Sequence, residues 1–76
     1  MDYATRITAN HQVMLGKPVI RGTRITVELI LRKLSESATP ANLVSMYPHL
    51  VEADILAALH YAAAVLANEE MLEQSA

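Results

Sequence analysis

Residues 54–68 read Asp-Ile-Leu-Ala-Ala-Leu-His-Tyr-Ala-Ala-Ala-Val-Leu-Ala-Asn, and this stretch decides the fold. It holds no glycine or proline, and alanine is the strongest helix former. Between Ile55 and Ala67 the only clearly polar side chain is His60. Ile55, Leu59, Ala62 and Leu66 fall on one helical stripe; Ala58, Tyr61 and Val65 fall on a second, rotated from the first. A surface helix needs one apolar stripe, whereas a helix apolar all round is covered all round. Working outward, the spacing predicts a helix from about Glu52 toward Leu72. Glu52 and Asp54 suit its positive N-terminus, although Val51 is a poor N-cap.

Upstream, Tyr47-Pro48 predicts a helix stop, because proline disfavours α geometry at the residue before it. Thr39-Pro40 predicts a helix start running through Leu43, Val44 and Met46. Val27, Ile30, Leu31 and Leu34 predict an earlier helix, with Thr26 as N-cap, Glu28 in the first turn and Arg32 and Lys33 in the last. Before it, Val19-Ile20 and Ile25-Thr26-Val27 are β-branched and flank Arg21-Gly22-Thr23-Arg24, which suits a short hairpin turning at Gly22. Gly16-Lys17-Pro18 is a second turn signal, and Pro18, which cannot donate to a ladder, predicts an edge strand. Residues 1–12 are an arm with at most a short strand. The expected architecture is mostly α: a short N-terminal β-hairpin, then a three-helix, helix-turn-helix-like bundle. One domain spans 1–76, divided into arm 1–12, hairpin region 13–26, bundle 27–72 and tail 73–76.

A chain of 76 residues is marginal as an isolated domain and needs staples or partners. Cysteine is absent, which excludes disulfides and thiolate metal sites and points toward a homodimer or higher oligomer. The start, Met1-Asp2-Tyr3-Ala4-Thr5-Arg6, does not resemble a signal peptide, and no apolar run reaches membrane-spanning length. A soluble cytoplasmic protein is expected. Residues 1–33 hold all six Lys and Arg against Asp2 and Glu28, a balance of +4; residues 34–76 hold six carboxylates and no cation, a balance of −6. That asymmetry fits a polyanion-binding end, two chains meeting head to tail, or merely unequal solvated surfaces.

Enzymatic chemistry is not expected. Gly16-Lys17 lacks the spacing of a phosphate-binding loop, and no nucleophile elbow occurs. His11, His49 and His60 lack metal-ligand spacing, and His49 with Glu52 alone leaves a metal short of ligands. No catalytic residue, metal or cofactor is therefore assigned. The segments 40–46 and 52–72 have a helix-turn-helix outline, but Glu52, Ala53 and Asp54 stand where bases would be read, and carboxylates there repel phosphate. Any DNA contact should come from the basic N-terminal half, with Lys17, Arg21 and Arg24 as candidates for a nucleic acid or an acidic partner. The spare face of the long helix, Ala57, Ala58, Tyr61, Ala64 and Val65, is the candidate partner-binding surface. Gly16, Gly22 and Pro48 are candidate structural turns.

Gly16-Lys17-Pro18-Val19-Ile20-Arg21-Gly22-Thr23-Arg24-Ile25-Thr26-Val27 resembles the signature of the family catalogued as domain of unknown function 433. Tyr47-Pro48-His49-Leu50, Asp54-Ile55, Ala57-Ala58-Leu59 and Tyr61-Ala62 match its second half. The resemblance implies a small prokaryotic domain treated as an antitoxin similar to the VapB type, which binds and silences a PIN-like nuclease and represses its own operon. A stand-alone dimeric DNA-binding regulator is the alternative. A PIN-like nuclease needs carboxylates for its metal chemistry, so Arg21 or Arg24, rather than Glu69, Glu70 and Glu73, is expected near its active site. The chain departs from the family pattern where Leu15 replaces a glycine, where Ser35-Glu36-Ser37 replaces a glycine-containing loop, and where Val51 replaces a capping Ser or Thr.

Overall fold

The computed structural model describes residues 3–9, 12 and 14–75, with Ala4 and residues 69–75 described by backbone alone. His11, considered above, lies outside the described residues, as does the first residue of the region 13–26. The chain runs through a 3-10 turn at Tyr3–Thr5, strand β1 (Ile7–Thr8), a second turn at Met14–Gly16, strand β2 (Val19–Ile20), and helices α1 (Val27–Ser35), α2 (Pro40–Met46) and α3 (Glu52–Ser75). The mostly helical fold with a short N-terminal strand pair is the expected one.

The strand pairing differs in its partner. β2 pairs antiparallel with β1, with Ile7 opposite Ile20 and Thr8 opposite Val19. The expected partner strand, 25–27, contributes only a bridge between Val19 and Thr26. The reason is local: Thr26 caps α1, its side chain accepting from the Leu29 N–H at 3.0 Å, and Val27 is already helical. β2 therefore lies between β1 and Thr26, and Pro18 does not mark an edge. It precedes the ladder, and its carbonyl accepts from the Val27 N–H at 3.0 Å.

The helix ends explain themselves. Thr39 caps α2 in a capping box: its hydroxyl accepts from the Asn42 N–H at 3.1 Å, and the Asn42 side-chain oxygen accepts from the Thr39 N–H at 2.9 Å. α1 ends in a Schellman motif, with the Ala38 N–H donating to Lys33 O and the Ser37 N–H to Leu34 O. That motif holds Ser37 at φ +78°, and the Met14–Gly16 turn holds Met14 at +51° and Leu15 at +56°. Leu15, and Ser37 in the loop after α1, both occupy left-handed positions that favour glycine. The Tyr47 backbone is extended before Pro48, and the Leu50 N–H closes the connection onto Tyr47 O at 2.9 Å.

α3 starts without a capping side chain at Val51. Instead Asp54, in its first turn, accepts from the Val51 N–H at 3.1 Å. The other Asp54 oxygen accepts from Arg6 Nη1 at 3.0 Å, across 48 residues of sequence. Tyr3 stacks on His60 with ring centroids 5.8 Å apart. The N-terminal segment is thus clasped along the row Asp54, Ala57, His60 at i, i+3, i+6. The core beneath it joins Ile7 and Ile20 to Val27, Ile30, Leu43, Leu50, Ile55, Ala57 and Ala58.

The clasp corrects two expectations. Ala57 and Ala58, assigned to a partner, are 0% exposed and lie in the chain's own core. Leu59, placed with Ile55 on one apolar stripe, is exposed while Ile55 is buried. The buried row is Asp54, Ile55, Ala57 and Ala58, with Tyr61 packed partly buried against the core. What packs against these small residues is the chain's own N-terminal segment. α3 also continues to Ser75, past the predicted end near Leu72.

Candidate functional site

Once the N-terminal segment is docked, the apolar surface that remains lies between α1 and α3. An open groove of about 730 Å³ is walled by Pro18, Val27 and Leu31 on one side and by Tyr61, Ala62, Val65 and Leu66 on the other. The α1 wall arises because Val27 and Leu31 are one turn apart, and Glu28, Arg32 and Ser35 follow on the adjacent ridge. Val65 is 40% and Leu66 56% exposed, an arrangement that strands apolar surface in water. A smaller depression of about 450 Å³ lies between α2 and the start of α3, at Val44 and Val51.

The rim of the groove is charged. Glu28 accepts from Arg32 at 2.7 Å and from Lys17 at 3.2 Å. These hydrogen bonds, that from Arg32 first, hold its carboxyl below the usual carboxylate range. Arg32 and Lys17 are thereby neutralised in part, whereas Lys33 makes no ion pair with any described residue.

The basic turn lies elsewhere. The Thr23 hydroxyl donates to Ile20 O at 2.7 Å and accepts from the Ile25 N–H at 3.0 Å. Gly22 sits at φ +80° with open space where a side chain would be. Arg21 is not free: its Nε donates to Thr5 O at 2.8 Å, and its backbone N–H to Arg6 O. Arg24 is exposed and pairs with no described residue.

Of the residues expected at a site, Tyr61 and Val65 meet in the groove, while Ala64 is half-buried outside its lining. Lys17 reaches the rim through Glu28, and Arg21 and Arg24 stay at the turn. Sequence reasoning missed the α1 wall, because Val27 and Leu31 were readable only as a core stripe. Spacing shows which residues share a face, not how much of it a neighbour covers. No group of three or more His, Cys, Asp or Glu is arranged to hold a metal among the described residues. No described helix is long and apolar enough to cross a membrane.

Compared with known proteins, residues 7–62 match the family described as "Protein of unknown function (DUF433)". No curated protein and no solved structure matches the chain.

Proposed function

The chain belongs to the DUF433 family, and on that premise we propose that it is a non-catalytic interaction module, the antitoxin of a pair that binds and neutralises a PIN-like nuclease and represses its own operon. One observation carries the reading: the groove between α1 and α3 leaves Val65 and Leu66 exposed beside Tyr61 and Leu31, apolar surface that a protein partner would bury. The resemblance supplies the kind of partner. A nuclease with an acidic metal centre would meet a cation, and Arg24 is the residue at the Gly22 turn that pairs with no described residue. Arg21 would also support that turn, its Nε held by the Thr5 carbonyl.

The test is capture and inhibition of the nuclease encoded beside this chain. Tyr61→Glu should abolish capture while helical content persists. Arg24→Glu should weaken inhibition more than Arg21→Glu does. Unchanged capture by the Tyr61 variant would overturn the reading.

The alternative, a dimeric DNA-binding helix-turn-helix regulator, draws on the same unpaired Arg24. Lys17 and Arg32 share Glu28, which leaves Arg21, Arg24 and Lys33 to meet phosphates. The slope of log K against log salt would then be no steeper than about −2.7 per protomer. Absence of DNA binding in low salt removes this alternative.

A further inference from the structure

We propose that the N-terminal segment, residues 3–8, is exchanged between two copies of this chain, each copy docking its segment on β2 and α3 of the other. The segment is held by discrete contacts. Ile7 pairs with Ile20 across the strand seam and is buried in the core. Arg21 donates twice across the same seam, from its backbone N–H to Arg6 O and from Nε to Thr5 O, both at 2.8 Å. Arg6 reaches Asp54 at 3.0 Å, and Tyr3 stacks on His60. Each of these partners lies after residue 16 in the sequence. A second copy therefore carries the complement of every one, and a segment supplied by that copy makes the same contacts. Such an exchange leaves the docked surfaces unchanged and alters the connection between them.

The connection is where the closed chain is strained. Met14, Leu15 and Gly16 stand in succession at φ +51°, +56° and +86°. Two of the three carry side chains, for which left-handed geometry is unfavourable. Strain of this kind persists where the surroundings compensate for it, yet Leu15 is 85% exposed and Met14 is exposed as well. The turn is closed by the Lys17 N–H on Met14 O at 3.1 Å, a bond that water replaces when the turn opens. Opening it releases strain and forfeits little burial. A strained hinge beside a separately docked segment is the arrangement that invites exchange.

The strain also sets the scale. A short connection gives the closed monomer an effective concentration of about millimolar. Each chain brings two strained residues with side chains to the pair; released at roughly fivefold each, they bring association to the order of a micromolar.

The experiment has two arms on the full chain. Sedimentation across concentration should show a monomer that gives way to a dimer, and Leu15→Gly should raise the dissociation constant by about twentyfold, because each dimer releases that strain twice. Met14→Gly with Leu15→Gly should raise it by roughly several hundredfold. Both side chains are exposed, so these variants keep the fold. In the second arm, isotope-labelled and unlabelled parent chains are unfolded together and refolded at high concentration. An isotope-filtered nuclear Overhauser effect between Tyr3 of one copy and His60 of the other is expected in the dimer. A monomer at every concentration, a dimer unmoved by the hinge glycines, or a dimer in which Tyr3 and His60 contact only within one chain overturns the proposal. None of the exchanged residues lines the groove between α1 and α3, so the antitoxin reading fails separately. A monomer that captures nuclease through Tyr61 keeps that reading and sinks the exchange; an exchanged dimer that captures no nuclease does the reverse.

Discussion

α1 and α3 are both rich in aliphatic residues, yet one is complete and the other is not. α1 has a capped start, Glu28 at its positive end, Arg32 and Lys33 at its negative end, and a Schellman finish. Its buried residues, Val27 and Ile30, face inward. α3 is apolar on nearly every side, has carboxylates at both ends, and divides into halves. From Asp54 to Ala58 it is held by the N-terminal segment, α1 and α2; from Val65 onward its described side chains are exposed. A helix with matched charge and one apolar face stabilises its own domain. A helix with surplus apolar face and mismatched charge is the surface that the proposed partner would cover.

The sharpest way to break this comparison is to truncate one residue in each half of α3. Ile55→Ala, at a fully buried site, should cost about 2–5 kcal/mol, enough to unfold much of a small domain. Leu66→Ala should change monomer stability by less than about 0.5 kcal/mol. Urea unfolding followed by circular dichroism reads both, at a concentration low enough to keep the chain monomeric. Equal losses would erase the division.

The next largest effect separates the two ends of the clasp. Asp54 is nearly buried, whereas the Arg6 side chain is 40% exposed. Asp54→Ala loses both the Arg6 pair and the bond to the Val51 N–H, and should cost about 2 kcal/mol. Arg6→Ala leaves the helix start intact and should cost about half as much. A double-mutant cycle should return a coupling of about 1 kcal/mol; additive losses would mean the pair contributes nothing beyond its parts.

Much of α1 and α2 was legible in the sequence, and the reason is locality. Thr26 and Thr39 announce their helices within four residues. The clasp was not legible, because Arg6 and Asp54 are 48 residues apart and nothing near either one names the other. The same gap hid the fate of Ala57 and Ala58. Their small side chains leave room for a close neighbour, but sequence spacing has no record of which backbone arrives. For the groove, Tyr61 and Val65 were legible as surplus apolar surface, whereas its α1 wall became visible only when α3 left part of Leu31 uncovered.

Smaller gains are expected where the chain departs from glycine. Ser37→Gly at φ +78° and Leu15→Gly at φ +56° should each stabilise by about 0.5–1 kcal/mol, read as a higher Tm. The Ser37 change acts on the Schellman end of α1 and so tests whether that helix is as complete as its charges suggest. A loss of stability there would show that the serine contributes more than its backbone strain costs.

The smallest effect concerns the groove rim. Glu28 has its pKa lowered by Arg32 and Lys17. A depressed carboxylate stabilises the folded state above its unfolded pKa, and that contribution disappears as pH falls through the folded value. Glu28→Gln should therefore match the parent at strongly acid pH and fall slightly below it once pH exceeds the ordinary glutamate range. Because Glu28 is exposed, the difference should shrink with added salt. A pH-independent difference would assign the loss to packing instead.

The pairing of Arg6 with Asp54 also bears on how the chain is made. At roughly 5–20 residues per second, the ribosome covers the 48-residue separation between them in about 2–10 s. Throughout that interval the first segment has no docking site, since the helix that receives it does not yet exist. A nascent chain interrupted before residue 54 keeps that segment loose and open to proteases. The contact that closes the fold thereby distinguishes a chain extended past residue 54 from one stopped short of it.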